Sequence, residues 1–155
     1  MATDNIAVIR RFTEEVWNKG NLDALSELVA DTYVANVPIL GEVRGVDALR
    51  KQLQSFRTAF PDLRLTIEDI GTSGDRVFLR WTARGTHRGT LMGCAPTGNS
   101  GEIRGISIDR LSGGKIVEHQ ESYDSLALLQ LLGRVSPLDR LPKGQPAPTE
   151  QARPR

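Results

Sequence analysis

The hydrophobic period of this chain changes once, near residue 63, and that change limits what it can fold into. Before it, apolar residues recur at three- and four-residue steps: Ile6, Ile9, Phe12, Val16 and Trp17, then Leu22, Leu25, Leu28 and Val29, then Leu49, Leu53, Phe56 and Phe60. Such spacing lines one face of a helix, so three helices are predicted. Thr3 or Asp4 caps the first, Gly20 stops it, and Pro61 ends the third. Tyr33–Pro38 reads as a short extended segment. Beyond residue 63 the pattern is that of strands: Leu63–Ile70, Arg76–Arg88, Glu102–Leu111 and Lys115–Asp124. Turns at Gly71–Asp75 and Ser112–Gly114 and a loop over Gly93–Gly101 separate them. Leu126–Leu132 forms a last short helix closed by Gly133. Helices first and hairpin-linked strands afterwards predict an α+β fold, a long curved antiparallel sheet wrapped on three helices as a cone with a cavity.

A chain of 155 residues with 39% hydrophobic and 25% charged residues is sized for one soluble domain. We place that domain at residues 1–133. Residues 134–155 hold five of the eight prolines and almost no apolar periodicity, and read as a disordered tail. The tail carries five Lys/Arg and two Asp/Glu, which leaves fifteen basic and seventeen acidic residues in the body, a net of −2. No clustered Lys/Arg with interleaved aromatics points to nucleic acid. Cys94 is the one cysteine, so no internal disulfide forms, and with His87 and His119 alone beside it no four-ligand Cys/His zinc site can be assembled. The start, Met-Ala-Thr-Asp-Asn, lacks a signal peptide's basic and apolar runs, and no apolar stretch reaches the roughly 18 residues that span a bilayer. A cytoplasmic protein with no membrane association is expected.

The closing strand, Lys115-Ile-Val-Glu-His-Gln-Glu-Ser-Tyr-Asp124, has no ordinary core face. If no bulge intervenes, alternation puts Ile116, Glu118, Gln120, Ser122 and Asp124 on one side and Val117, His119, Glu121 and Tyr123 on the other. Both sides carry acids. The strand is either a solvated edge or the wall of a polar pocket, and in a cone the face bearing Glu118, Gln120 and Asp124 is the one we expect to point inward.

Seven short motifs, in order, carry a resemblance: Trp17-Asn-Lys-Gly-Asn-Leu-Asp23, Phe60-Pro-Asp62, Gly85-Thr-His-Arg-Gly89, Pro96-Thr-Gly98, Gly114-Lys-Ile116, Asp124 and Leu129-Leu-Gln-Leu-Leu-Gly133. Together they resemble the SnoaL-like polyketide cyclases, or ester cyclases, of the nuclear-transport-factor-2-like superfamily, over about residues 5 to 133. The resemblance implies a cone-shaped α+β barrel, a homodimer or higher homo-oligomer, that acts on a small molecule with no metal or organic cofactor. It also implies an intramolecular aldol closure in which an aspartate near the end of the last strand is general acid and base; the matching position here is Asp124. The family pattern carries a tryptophan on that strand where this chain has Gln120, which predicts a more polar pocket.

An aspartate in water, with a pKa near 4, is a weak base for carbon acids, and an apolar cavity raises it. Trp17, Phe56, Phe60 and Leu91 are the expected lining. Asp124 equally suits the N-cap of the helix that starts at Ser125, and both roles can coexist. His87 is a candidate rim residue that polarises a carbonyl or relays a proton, or a structural histidine bonded to a loop. His119 reads as structural or interfacial. Arg80 is expected to pair with Glu118 or Asp109, or else to clamp an oxyanion. Asn36 can donate to a substrate oxygen or to local backbone.

Alternatives on the same fold are an epoxide hydrolase, an isomerase and a binding or assembly module without chemistry. Hydrolases of similar fold use an Asp–Arg–Asp group, whose spacing here is Arg80-Trp-Thr82, with the acid missing unless Glu118 substitutes. A steroid-type isomerase wants an acid before the proline where this chain has Val37-Pro38.

Overall fold

The computed structural model describes residues 2–135. The expected tail therefore lies outside the described residues from 136 onward. Helix α1 (Ala2–Arg11) runs directly into a π-helical segment, Phe12–Asn18. A 3₁₀ turn at Leu22–Ala24 and helix α2 (Leu25–Leu28) lead to strand β1 (Val29–Val37) and β2 (Gly41–Arg44). Helix α3 (Gly45–Ala59) is followed by β3 (Arg64–Ser73), β4 (Arg76–Thr86), β5 (Ser100–Ser112), β6 (Lys115–Tyr123) and α4 (Ser125–Leu131).

The six strands form one sheet in the order β2-β1-β6-β5-β4-β3. Four of its pairings are antiparallel, but β1 runs parallel to β6. The sheet is thus mixed rather than antiparallel throughout, because the chain leaves β1 through the short β2 hairpin and α3 and returns to pair beside it only at its end. The α+β cone expected from the sequence is the observed architecture, with α4 as a fourth helix beside the three.

Amphipathic faces drive the closure. Ile9 and Val16 from the first helical stretch, Leu25 and Leu28 from α2, and Leu49 and Leu53 from α3 are buried against Val77, Leu111 and Ile116 of the sheet. Each such side chain contributes about 1.5–3 kcal/mol of transfer free energy. A second cluster, with Phe60, Leu91, Cys94, Leu128 and Leu131, seals one end. Among the described residues no helix is long and apolar enough to cross a membrane.

Two of the resembling motifs explain how helices are tied to the sheet. Asn18 bonds the edge of β3 like a neighbouring strand: its Nδ2 donates to the Leu65 carbonyl at 3.0 Å and its Oδ1 accepts from Leu65 N at 2.7 Å. Gly20 follows with φ +70°, and a Cβ there would stand 2.7 Å from Arg57 Nε. Arg57 in turn donates to the Trp17 and Asn18 carbonyls. Asp62, from Phe60-Pro-Asp62, accepts from Thr86 N and Thr86 Oγ1, both at 2.8 Å, fastening α3 to the end of β4.

Candidate active site

The site is set by a bulge. In the β5–β6 ladder Leu111 faces Ile116, yet the next pair is Arg110 with Glu118, so β6 holds one extra residue at Val117. The side chains change parity there. Ile116 points inward before the bulge and His119, Glu121 and Tyr123 point inward after it, all four lining the interior cavity. The face expected to be internal, Glu118, Gln120 and Ser122, is turned outward, and Asp124 lies past the strand end.

The cavity measures about 130 Å³. Helical residues Phe12, Trp17, Phe56 and Phe60 close one side and the sheet residues Tyr33, Trp81 and Tyr123 the other. The π register lets Phe12, Thr13 and Trp17 all reach this space, a typical use of such segments. Trp17 meets Phe56 edge-on, with ring centroids 6.2 Å apart. Within this largely aromatic chamber stands one ionic cluster, apart from Arg84, which is paired with Glu102 at 2.6 Å. His119 Nδ1 is 2.7 Å from Asp109 Oδ1, and its Nε2 is 3.2 Å from Glu121 Oε2.

Burial alone would push the His119 imidazole down, but the two carboxylates outweigh it and raise the group to about 10. At neutral pH the ring is therefore an imidazolium that donates to both acids. Asp109 is the deeper partner, with 7% of its side chain exposed; Glu121, at 16%, and His119, at 20%, keep surface on the cavity. Burial, then the Asp109 and Glu121 charges, push the Tyr33 phenol far up, so it stays a neutral donor. Tyr123 rises to about 12 for the first reason and from Glu121, and its hydroxyl donates to the Pro38 carbonyl at 2.7 Å. Among the described residues no group of three His, Cys, Asp or Glu side chains could hold a metal ion.

Of the residues singled out in the sequence, Trp17, Phe56 and Phe60 line the cavity. His119, read as structural or interfacial, lines it too, because the bulge turns it inward; the others stand elsewhere. Asp124 is an exposed N-cap of α4, accepting from Ala127 N at 3.0 Å. Glu118 pairs with Arg110 at 2.6 Å, and Gln120 and Asn36 are exposed neighbours across the β1–β6 ladder. Arg80 pairs with Asp69 at 2.6 Å on the outer face, not with Glu118 or Asp109, because Arg76, Phe78 and Arg80 of β4 point outward. His87 is fully buried rather than at a rim. Thr97 N donates to its Nδ1 at 3.2 Å, its ring lies 5.5 Å from that of Phe60, and its Nε2 has no partner among the described residues. Leu91 belongs to the second cluster, outside the cavity.

A sheet curled around helices to enclose an acid–base group defines a nuclear-transport-factor-2-like cone with an internal site. The family model for the SnoaL-like polyketide cyclases matches residues 7–132, and the chain belongs to that family. It is similar to the aklanonic acid methyl ester cyclase DauD of Streptomyces sp. (strain C5), 29% identical over 137 residues that cover 85% of this chain and 83% of the relative. Among solved structures, IdmH of Streptomyces antibioticus, a candidate polyketide cyclase, is 32% identical with a TM-score of 0.72, over 83% of this chain and 98% of that one. AclR of Streptomyces galilaeus, a candidate hydroxylase, is 29% identical with a TM-score of 0.78, over 92% and 87%.

Proposed function

We propose that this protein closes a carbon–carbon ring in a flat, aromatic polyketide-type substrate, with Glu121 and His119 as the proton-transfer pair and Asp109 holding the imidazole. The observation that carries this reading is one imidazole bridging two carboxylates inside an otherwise apolar, aromatic chamber. Glu121 takes the proton alpha to a carbonyl, and the enolate carbon attacks a second carbonyl of the same molecule. The electron pair of that carbonyl ends as an alkoxide, which recovers a proton from the Glu121–His119 pair, so the group returns to its starting state and nothing is consumed. Tyr33, neutral and facing the same space, is suited to donate to the developing oxyanion. Because Gln120 faces outward, it does not make the pocket polar, and planar aromatic rings suit the lining. The assembly we infer is a homodimer through the outer face of β4 and β5.

The test is turnover of aklanonic acid methyl ester, chosen because the relative DauD is named for it. Wild type should form cyclised product, and Glu121→Gln should lose roughly 10²–10⁴ in kcat, the usual share of a general base. Asp124→Asn should turn over at the wild-type rate. An active Glu121→Gln, or an inactive but folded Asp124→Asn, overturns the assignment.

A further inference from the structure

Beyond α3 lies an open groove of about 700 Å³, lined among others by Leu40, Val43, Lys51, Leu91 and Met92. Gln52 and Phe56 line both this groove and the cavity. They stand four residues apart on α3, on one face of the helix, and both are half-buried, so the wall shared by the two spaces includes side chains that rotamer changes can move. At the groove's outer edge Met92, and Ile39 next to Leu40, are exposed and hold left-handed backbone with φ +49° and +72°. That conformation is strained for a non-glycine residue, and such strain recurs at ligand clamps.

Size and charge point the same way. A cavity of about 130 Å³ is smaller than the roughly 300–1,000 Å³ that holds a drug-sized ligand, so a polycyclic substrate fills it and continues outward. Its lining carries two carboxylates against one imidazolium, with Arg84 already paired to Glu102 at 2.6 Å, whereas Lys51 is the one charged residue on the groove lining. An anionic substituent is therefore turned away from the floor and toward the groove.

We propose that the groove is the second half of the substrate site: it takes an apolar arm that leaves the cavity beside Gln52 and Phe56 and ends in a carboxylate facing Lys51. This rests on the reading that the cavity holds the aromatic body, so the two must be tested apart. Three probes suffice with the full chain: 2-naphthol, 6-(2-naphthyloxy)hexanoic acid and the corresponding neutral amide, followed by calorimetry and by the Met92 methyl signal, one of only two methionine methyls in the chain.

All three should bind, with the armed acid roughly tenfold or more tighter than 2-naphthol, the effect of burying two methylenes. The Met92 methyl should move with the armed probes and stay still with 2-naphthol. Lys51→Met should weaken the acid roughly two- to fivefold, as for an exposed ion pair, and leave the amide and 2-naphthol unchanged. If 2-naphthol binds but the arm adds nothing and Met92 stays still, the groove is overturned and the cavity stands. Indifference of the acid to Lys51→Met overturns the carboxylate assignment. Failure of every probe overturns the groove together with the aromatic-body reading beneath it.

Discussion

His119 is an unusual residue for a core because it is held charged. Its folded-state group lies near 10 against an ordinary value of 6.5. A raised group stabilises the fold fully below its unfolded value and loses that contribution as pH climbs through the folded one. Unfolding free energy should therefore fall between about pH 6.5 and pH 10, by a few kcal/mol. Asp109→Asn should reduce that slope and destabilise the fold at pH 7, since it removes the nearer of the two carboxylates that hold the imidazolium. Urea denaturation across this range reads both, and a flat wild-type profile overturns the imidazolium. A second residue test concerns space. A Cβ on Gly105 would stand 2.4 Å from Trp81 Cζ2, so Gly105→Ala must drive the indole toward the cavity it lines. We expect a stability loss of roughly 1–3 kcal/mol, as for other overpacked sites, with weaker binding of any cavity ligand, measured by thermal melting and Trp81 fluorescence. Trp17, Phe56 and Phe60 were legible as lining because helical spacing marks their face. Asp109 was not: in β5 the inward set is Gly105, Ser107, Asp109 and Leu111, while Ile106 and Ile108 point out, the reverse of what hydrophobicity suggests.

At the scale of elements, most boundaries follow from period and turn chemistry, and the failures are local. Alternation held on each side of Val117, but nothing in Lys115–Tyr123 marks the bulge, which depends on how β6 fits against both β5 and β1. One extra residue exchanged Glu118 and Gln120 for His119 and Glu121. Deleting Val117 should therefore abolish the site, either by unfolding or by turning His119 and Glu121 to the surface, and circular dichroism with the cyclisation assay distinguishes the two. The resembling motifs proved to be largely joints. Thr97 of Pro96-Thr-Gly98 donates to the Leu131 carbonyl at 2.7 Å and contacts His87, while a Cβ on Gly89 would meet Thr58 O at 2.3 Å. They identify the fold more firmly than the chemistry. Asp124 is the clearest case. Asp124→Ala should cost about 1 kcal/mol, the usual loss of an N-cap, while kcat stays unchanged. A stability loss with a collapse of kcat would instead return Asp124 to the reaction.

For the whole molecule, the outward isoleucines of β5 are themselves informative. The α+β cone was legible from the single change of period, whereas the parallel β1–β6 pairing joins distant segments and leaves no local trace. Neither does the sidedness of a strand polar on one face for chemistry and apolar on the other for contact. Ile106 is 60% exposed, Phe78 41% and Ile108 36%, and Phe78 lies opposite Ile108 in the β4–β5 ladder. Ion pairs flank them, Arg80–Asp69 and Arg110–Glu118, each at 2.6 Å. An apolar centre with a charged rim is the anatomy of an interface, and a twofold axis lets one patch serve both partners. The inferred homodimer buries this face, away from the cavity. Wild type should sediment as a dimer at micromolar concentration. Ile106→Asp should sediment as a monomer with an unchanged circular dichroism spectrum and should retain His119 and Glu121 in place, so that turnover per chain persists. A wild-type monomer, or an Ile106→Asp dimer, would show that this face is not the one that pairs.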